Sequence, residues 1–184
     1  DADRRVLRTA TGPERQIAAE VSPLARYRAM FSDTRADDVL FTVAADGDDA
    51  LPDRVRVATL DAYDGEVFRS SGADDGRFVR VPSRLDAGEG RAVSADVSID
   101  TLTGIWMPTA GRLSEATFQG PRAALLADSF YYSAGAEAGV QTADGGWEPG
   151  DAYRLSGIEP VADDLATITA PGSAGDVRGG ENLR

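Results

Sequence analysis

"RAVSADVSI" (Arg91–Ile99) alternates apolar and polar residues in period two. That is the pattern of a strand with one face in a core and the other in water. The same texture recurs on both sides. "RVRVATL" (Arg54–Leu60) alternates Arg with Val, and "GRFVRVPS" (Gly76–Ser83) repeats the theme. "DVLFTVAA" (Asp38–Ala45), "DSFYYSAG" (Asp128–Gly135) and "DAYRLSGI" (Asp151–Ile158) are rich in strand formers. The intervening loops are rich in Gly, Asp and Pro, which favour turns. Strands spaced in this way predict a mainly β fold, an antiparallel β-sandwich or barrel-like domain.

A helix is predicted near the N-terminus, over Ile17–Asp33. Ser22-Pro23 has the character of an N-cap and first helical position, and Leu24, Tyr27, Arg28 and Phe31 follow at helical spacing. Residues 1–16 are charged and unpatterned and are expected to form a flexible lead-in. Residues 17–160 make the β-rich domain. Residues 161–184, ending "APGSAGDVRGGENLR", have Gly and Pro without periodicity, as a linker toward a downstream domain would.

Composition excludes several functions. The net charge is −12, and every basic residue is arginine. Nucleic-acid binding rests on Lys and Arg neutralising phosphate, so this balance argues against it, and against anionic membrane surfaces too. A lysine-free acidic chain reflects either GC-rich coding or adaptation to salt. Cysteine and histidine are absent. The chain therefore offers no thiolate, no imidazole base and no Cys/His metal site, which closes Ser-His-Asp and Cys-His catalysis within it. No apolar run approaches the roughly 18 residues of a membrane helix. The chain opens Asp1-Ala2-Asp3, with no methionine and no signal peptide, as expected of a segment of a longer protein.

Candidate sites come from acids and aromatics. Asp46, Asp48, Asp49 and Asp53 could gather on calcium, but EF-hand spacing is missing and a solvated turn accounts for them. Asp61, Asp64 and Glu66 could pair for glycoside hydrolysis, although acids at turns are more often turn formers. Trp106 and Trp147, with Phe130, Tyr131 and Tyr132, could form a sugar-stacking platform. In a small β domain large aromatics more often fill the core. Gly145-Gly146 reads as a turn, because no Walker residues follow it. No cofactor is implied.

Four segments carry a resemblance: "SPLARYRAMFSD" (Ser22–Asp33), "LDAYDGEVF" (Leu60–Phe68), "VSIDTLTGIWMPTAG" (Val97–Gly111) and the late "FYYSAG…YRLSG". Over roughly residues 22–160 they resemble the extracytoplasmic region that precedes the catalytic core in bacterial, especially actinobacterial, membrane-anchored transglutaminase-like proteins. That family has a Leu-Asp-x-Phe/Tyr-Asp-Gly turn with a Trp three residues after the Gly. Here Asp61, Tyr63 and Asp64 match, and Phe68 stands in for the Trp. A Trp-Leu-Pro-like step corresponds to Trp106-Met107-Pro108. The family's Cys-His-Asp triad lies in the following domain, so none of it is carried by this chain.

The resemblance implies a non-catalytic accessory domain on the extracytoplasmic face of the membrane. It would position the catalytic domain of the same chain or contact cell-wall and envelope components. A carbohydrate-binding module using exposed aromatics and a small acid-pair hydrolase are the alternatives. "LDAYDGEVF" is expected to be a hairpin with Tyr63 and Phe68 packed inward and Asp64-Gly65 at the turn. Trp106 is expected to be buried.

Overall fold

The structure, a computed structural model, describes residues 13–20, 23–24, 35–45, 50–70, 77–81 and 84–160. Helix α1 spans Glu14–Ala19. Strands β1 (Phe41–Ala45), β2 (Ala62–Tyr63), β3 (Phe68–Arg69), β4 (Val79–Arg80), β5 (Arg91–Ile99), β6 (Trp106–Met107) and β7 (Arg112–Gln119) follow. Helix α2 (Ala123–Asp128) then leads to β8 (Phe130–Ser133), β9 (Ala138–Gln141) and β10 (Ala152–Glu159). All the pairings are antiparallel. One four-stranded sheet has the order β1-β5-β10-β7 and another β4-β8-β9-β6, with β2-β3 a separate hairpin. Neither sheet closes on itself, so the domain is a β-sandwich rather than a barrel.

The alternation of β5 is realised from Ala95 onward, while Ser94 is buried along with both its neighbours. Val93, Ala95, Val97 and Ile99 are buried, while Asp96 and Ser98 face outward. In the neighbouring strand, Tyr153 and Leu155 of β10 join them, and across the interface Met107, Phe130 and Tyr132 come from the second sheet. The second sheet has a further buried layer on its other face. There Trp106, Ala138 and Val140 pack with Phe78, backed by Ile17 of α1 and by Val57 and Ala58. A sheet covered on both faces shows no polar alternation. That is why β9 is buried at every position, and why its sequence did not stand out as a strand.

β7 was also missed, for a different reason. Its register with β10 shifts between Ser156 and Gly157, so that Ser156 faces Glu115 while Gly157 faces Leu113. Ser114 is the extra residue of a bulge, and its carbonyl accepts from the Leu85 amide at 2.8 Å. The bulge moves the inward set from Leu113 to Ala116 and Phe118, which breaks period two. Gly157 is required opposite it: a Cβ there would sit 2.8 Å from the Ala110 carbonyl oxygen and 2.9 Å from that of Arg112.

Two expected elements are corrected. "RVRVATL" does not form a strand; Arg54–Leu60 makes a single bridge, Arg56 with Thr109. The ladder stops because the next residue that could bond it, Met107, is already paired with Gly139 of β9. The helix expected over Ile17–Asp33 is not continuous from Ile17. α1 starts at Glu14, within the expected lead-in, and Glu20 is already extended at φ −71°, ψ 134°. A helix continuing through Pro23 would press its ring on the carbonyl four residues back. Pro23 and Leu24 are helical again. Tyr27, Arg28 and Phe31 lie outside the described residues, as does 161–184.

Candidate functional site

The β2–β3 hairpin gathers the residues of the "LDAYDGEVF" motif. Ala62 pairs with Arg69 and Tyr63 with Phe68. The turn is built around one carboxylate. Asp64 Oδ1 accepts from the amides of Glu66 (2.9 Å) and Val67 (2.8 Å), and Oδ2 accepts from Arg69 Nε at 3.0 Å. Gly65 takes φ +103°, a conformation other residues avoid. The amides of Val67 and Glu66, with the Arg69 guanidinium, hold the Asp64 carboxyl down at a pKa of about 2.

Tyr63 and Phe68 do not pack inward, contrary to expectation. They are 59% and 44% exposed and stack on each other, with centroids 4.7 Å apart at 32°. A two-residue ribbon has too little inner face to sink both rings, so they cover one another across the strands. The Tyr63 hydroxyl donates to the Gly65 carbonyl at 2.7 Å and closes the tip. At the hairpin's base a cavity of about 110 Å³ lies among Ile17, Leu60, Arg69, Ser70 and Trp106.

Trp106 and Trp147 are both buried, at 6% and 2% exposure. Trp147 Nε1 donates to the Trp106 carbonyl at 3.0 Å. Trp147 also packs against Tyr153 (centroids 5.4 Å apart) and Phe118 (6.5 Å). Trp106 meets the edge of Phe78 at 6.2 Å. Neither ring presents a face to solvent, and Phe130 and Tyr132 are buried too.

A cleft of about 560 Å³ opens beside Arg54, Arg56, Gly111, Glu137 and Glu159. Its charges are cross-linked. Arg56 Nη1 donates to both the carbonyl and the carboxylate of Glu137, each at 2.9 Å, and fixes Glu137 at φ 47°. Arg91 pairs with Asp53 at 2.8 Å and with Glu159. The Asp53 amide donates to Glu159 Oε1 at 2.9 Å. These residues come from four separate stretches of chain, and no local motif announced them.

A general acid requires a carboxyl raised toward neutrality. Asp64 and Asp96 both move the other way, Asp96 because Arg154 bonds it across the sheet at 3.0 Å. Among the described residues no three acids group to hold a metal ion. Asp46, Asp48 and Asp49 lie outside them. No helix among the described residues is long and apolar enough to cross a membrane. Comparison with protein-family models, with curated proteins and with solved structures returns no match to this chain.

Proposed function

We propose that the chain is a non-catalytic accessory domain of an extracytoplasmic, membrane-anchored transglutaminase-like protein, positioning the catalytic domain or contacting envelope partners. The β2–β3 hairpin carries this reading. It presents two stacked aromatic rings on a turn whose carboxylate is saturated by its own amides and by Arg69. Such an element is preorganised, so binding through it immobilises little that was free. The sequence motif that resembles the transglutaminase-associated region is the same hairpin.

The test has two parts. The gene on both sides of this chain should encode hydrophobic helices upstream and a Cys…His…Asp pattern downstream. Calorimetric titration of the purified chain with that downstream domain should then show binding, weakened at least about tenfold by replacing both Tyr63 and Phe68 with alanine, as for paired contact residues. A flanking sequence with neither feature would sink the proposal. Measurable transamidation or peptide hydrolysis by the isolated chain would sink its non-catalytic part.

A further inference from the structure

The two tryptophans treat their polar atoms differently. Trp147 Nε1 donates to the Trp106 carbonyl at 3.0 Å. Trp106 is 6% exposed, and its own Nε1 is buried with no hydrogen-bond partner among the described residues. Buried polar groups are seldom left so, because the bond given up to water is not replaced. Trp106 is also a wall of the cavity of about 110 Å³ at the base of the β2–β3 hairpin. An unmet donor and a cavity therefore coincide at one residue.

The other walls narrow the chemistry of an occupant. An indole N–H donates and cannot accept, so the occupant must present an acceptor. Arg69 lines the cavity but is already held by Asp64 at 3.0 Å, whereas Glu20 brings a carboxylate to the same cavity. An anionic acceptor would meet that carboxylate in a confined space, where like charges repel most strongly. A neutral acceptor avoids this. Pockets for drug-sized ligands begin near roughly 300 Å³, so a cavity of about 110 Å³ takes only a few heavy atoms.

Ile17, Pro23 and Leu60 give the cavity its apolar lining. Water would meet the Trp106 N–H but offers those side chains no apolar surface. A hydroxyl on a short carbon chain does both: its oxygen accepts from the indole, and its carbons cover the aliphatic walls. We propose that this cavity binds a small neutral alcohol, a free polyol or the hydroxymethyl end of a sugar, held by Trp106 Nε1. Such a ligand would also join helix α1 to the base of the hairpin, since both line the cavity. The inference rests on the cavity and on Trp106, and stands apart from the reading of the hairpin as a docking element.

The test follows the indole N–H signals of the full 184-residue chain by NMR, one for each of its two tryptophans. Glycerol should move the Trp106 signal saturably, with a Kd on the order of 1–10 mM for so few heavy atoms. The Trp147 signal, already bonded within the protein, should stay in place. Acetate should bind about tenfold more weakly or worse. Methyl glucoside separates the two sources: binding tighter than glycerol assigns the site to a sugar, and weaker binding assigns it to a free polyol. Trp106→Phe keeps a ring in the wall and removes the donor, and should abolish binding as read from the signals of glycerol itself. Leu60→Phe narrows the cavity while keeping the indole as reporter, and gives a second reading should Trp106→Phe fail to fold. No saturable shift of the Trp106 signal, equal shifts of both indoles, acetate bound as well as glycerol, or binding that survives either variant would overturn the proposal.

Discussion

Two groups of aromatic rings make the same kinds of contact in opposite surroundings. Trp147, Tyr153, Phe118 and Phe130 meet in the core at centroid distances of 5.4 to 6.5 Å. Tyr63 and Phe68 stack more closely, at 4.7 Å, in solvent. The polar handles show the difference. The Tyr153 hydroxyl donates to the Pro108 carbonyl, and Trp147 Nε1 to the Trp106 carbonyl, joining segments more than 40 residues apart. The Tyr63 hydroxyl reaches only Gly65, two residues on. Core rings therefore bind distant parts of the chain together, whereas the hairpin rings shape only their own turn. Stacking distance alone says little about the contribution to stability.

The contrast breaks first on the tryptophans. Trp147→Ala and Trp106→Ala should each cost about 3–5 kcal/mol, the range for emptying a large buried aromatic site. Chemical denaturation measures this. An unchanged midpoint for Trp106→Ala would mean that a contact residue had been taken for core.

Tyr153→Phe keeps the ring and removes the hydroxyl that bonds Pro108 at 2.6 Å. Leaving that carbonyl buried and unbonded should cost about 1–3 kcal/mol. Burial raises the Tyr153 phenol well above its ordinary range. A group raised in the folded state stabilises fully below its unfolded value, near 10, and loses that contribution as pH climbs through the folded value. Alkaline unfolding should thus begin above about pH 10, and phenolate absorbance from Tyr153 should appear with unfolding rather than before it.

Tyr63→Ala should cost less than about 1 kcal/mol, as for one exposed cross-strand pair. A loss as large as that of Trp147→Ala would erase the distinction between the two groups.

The smallest effect belongs to Asp64, whose carboxyl titrates at about 2 against an ordinary 3.8. A depressed carboxyl stabilises above its unfolded value and loses that effect as pH falls through the folded one. The amide resonances of Glu66 and Val67 should hold steady above pH 4 and shift with a midpoint near 2. A midpoint at the ordinary value would mean that the turn does not form as described.

The fold was legible where a strand alternates toward water, as in Arg91–Ile99, or carries a run of strand formers, as in Phe130–Ser133; Ala152–Glu159 departs by one residue at its end. It was illegible where burial is two-sided, as in β9, or where a bulge shifts the phase, as at Ser114. "RVRVATL" misled because alternation reports a favourable side-chain pattern and not the presence of a partner strand; Met107, the next residue that could bond it, is taken by β9. The hairpin's location and its acidic turn were legible from Asp-Gly. The exposure of its rings was not, because it depends on how little sheet lies beneath them. The cleft was invisible, since Arg56, Glu137 and Glu159 meet through topology alone.

The position of β10 has a consequence for synthesis. It is the last described strand in the chain, yet it lies between β5 and β7 in the sheet. β5 and β7 therefore have no common neighbour until Glu159 has left the ribosome. At roughly 5–20 residues per second, β5 waits on the order of seconds as an open edge before its partner exists. A nascent chain stalled before Ala152 would expose two unsatisfied ladders, a natural target for chaperones, and loss of β10 would split the sheet in the middle, parting β7 from the β1–β5 pair, rather than trim its end.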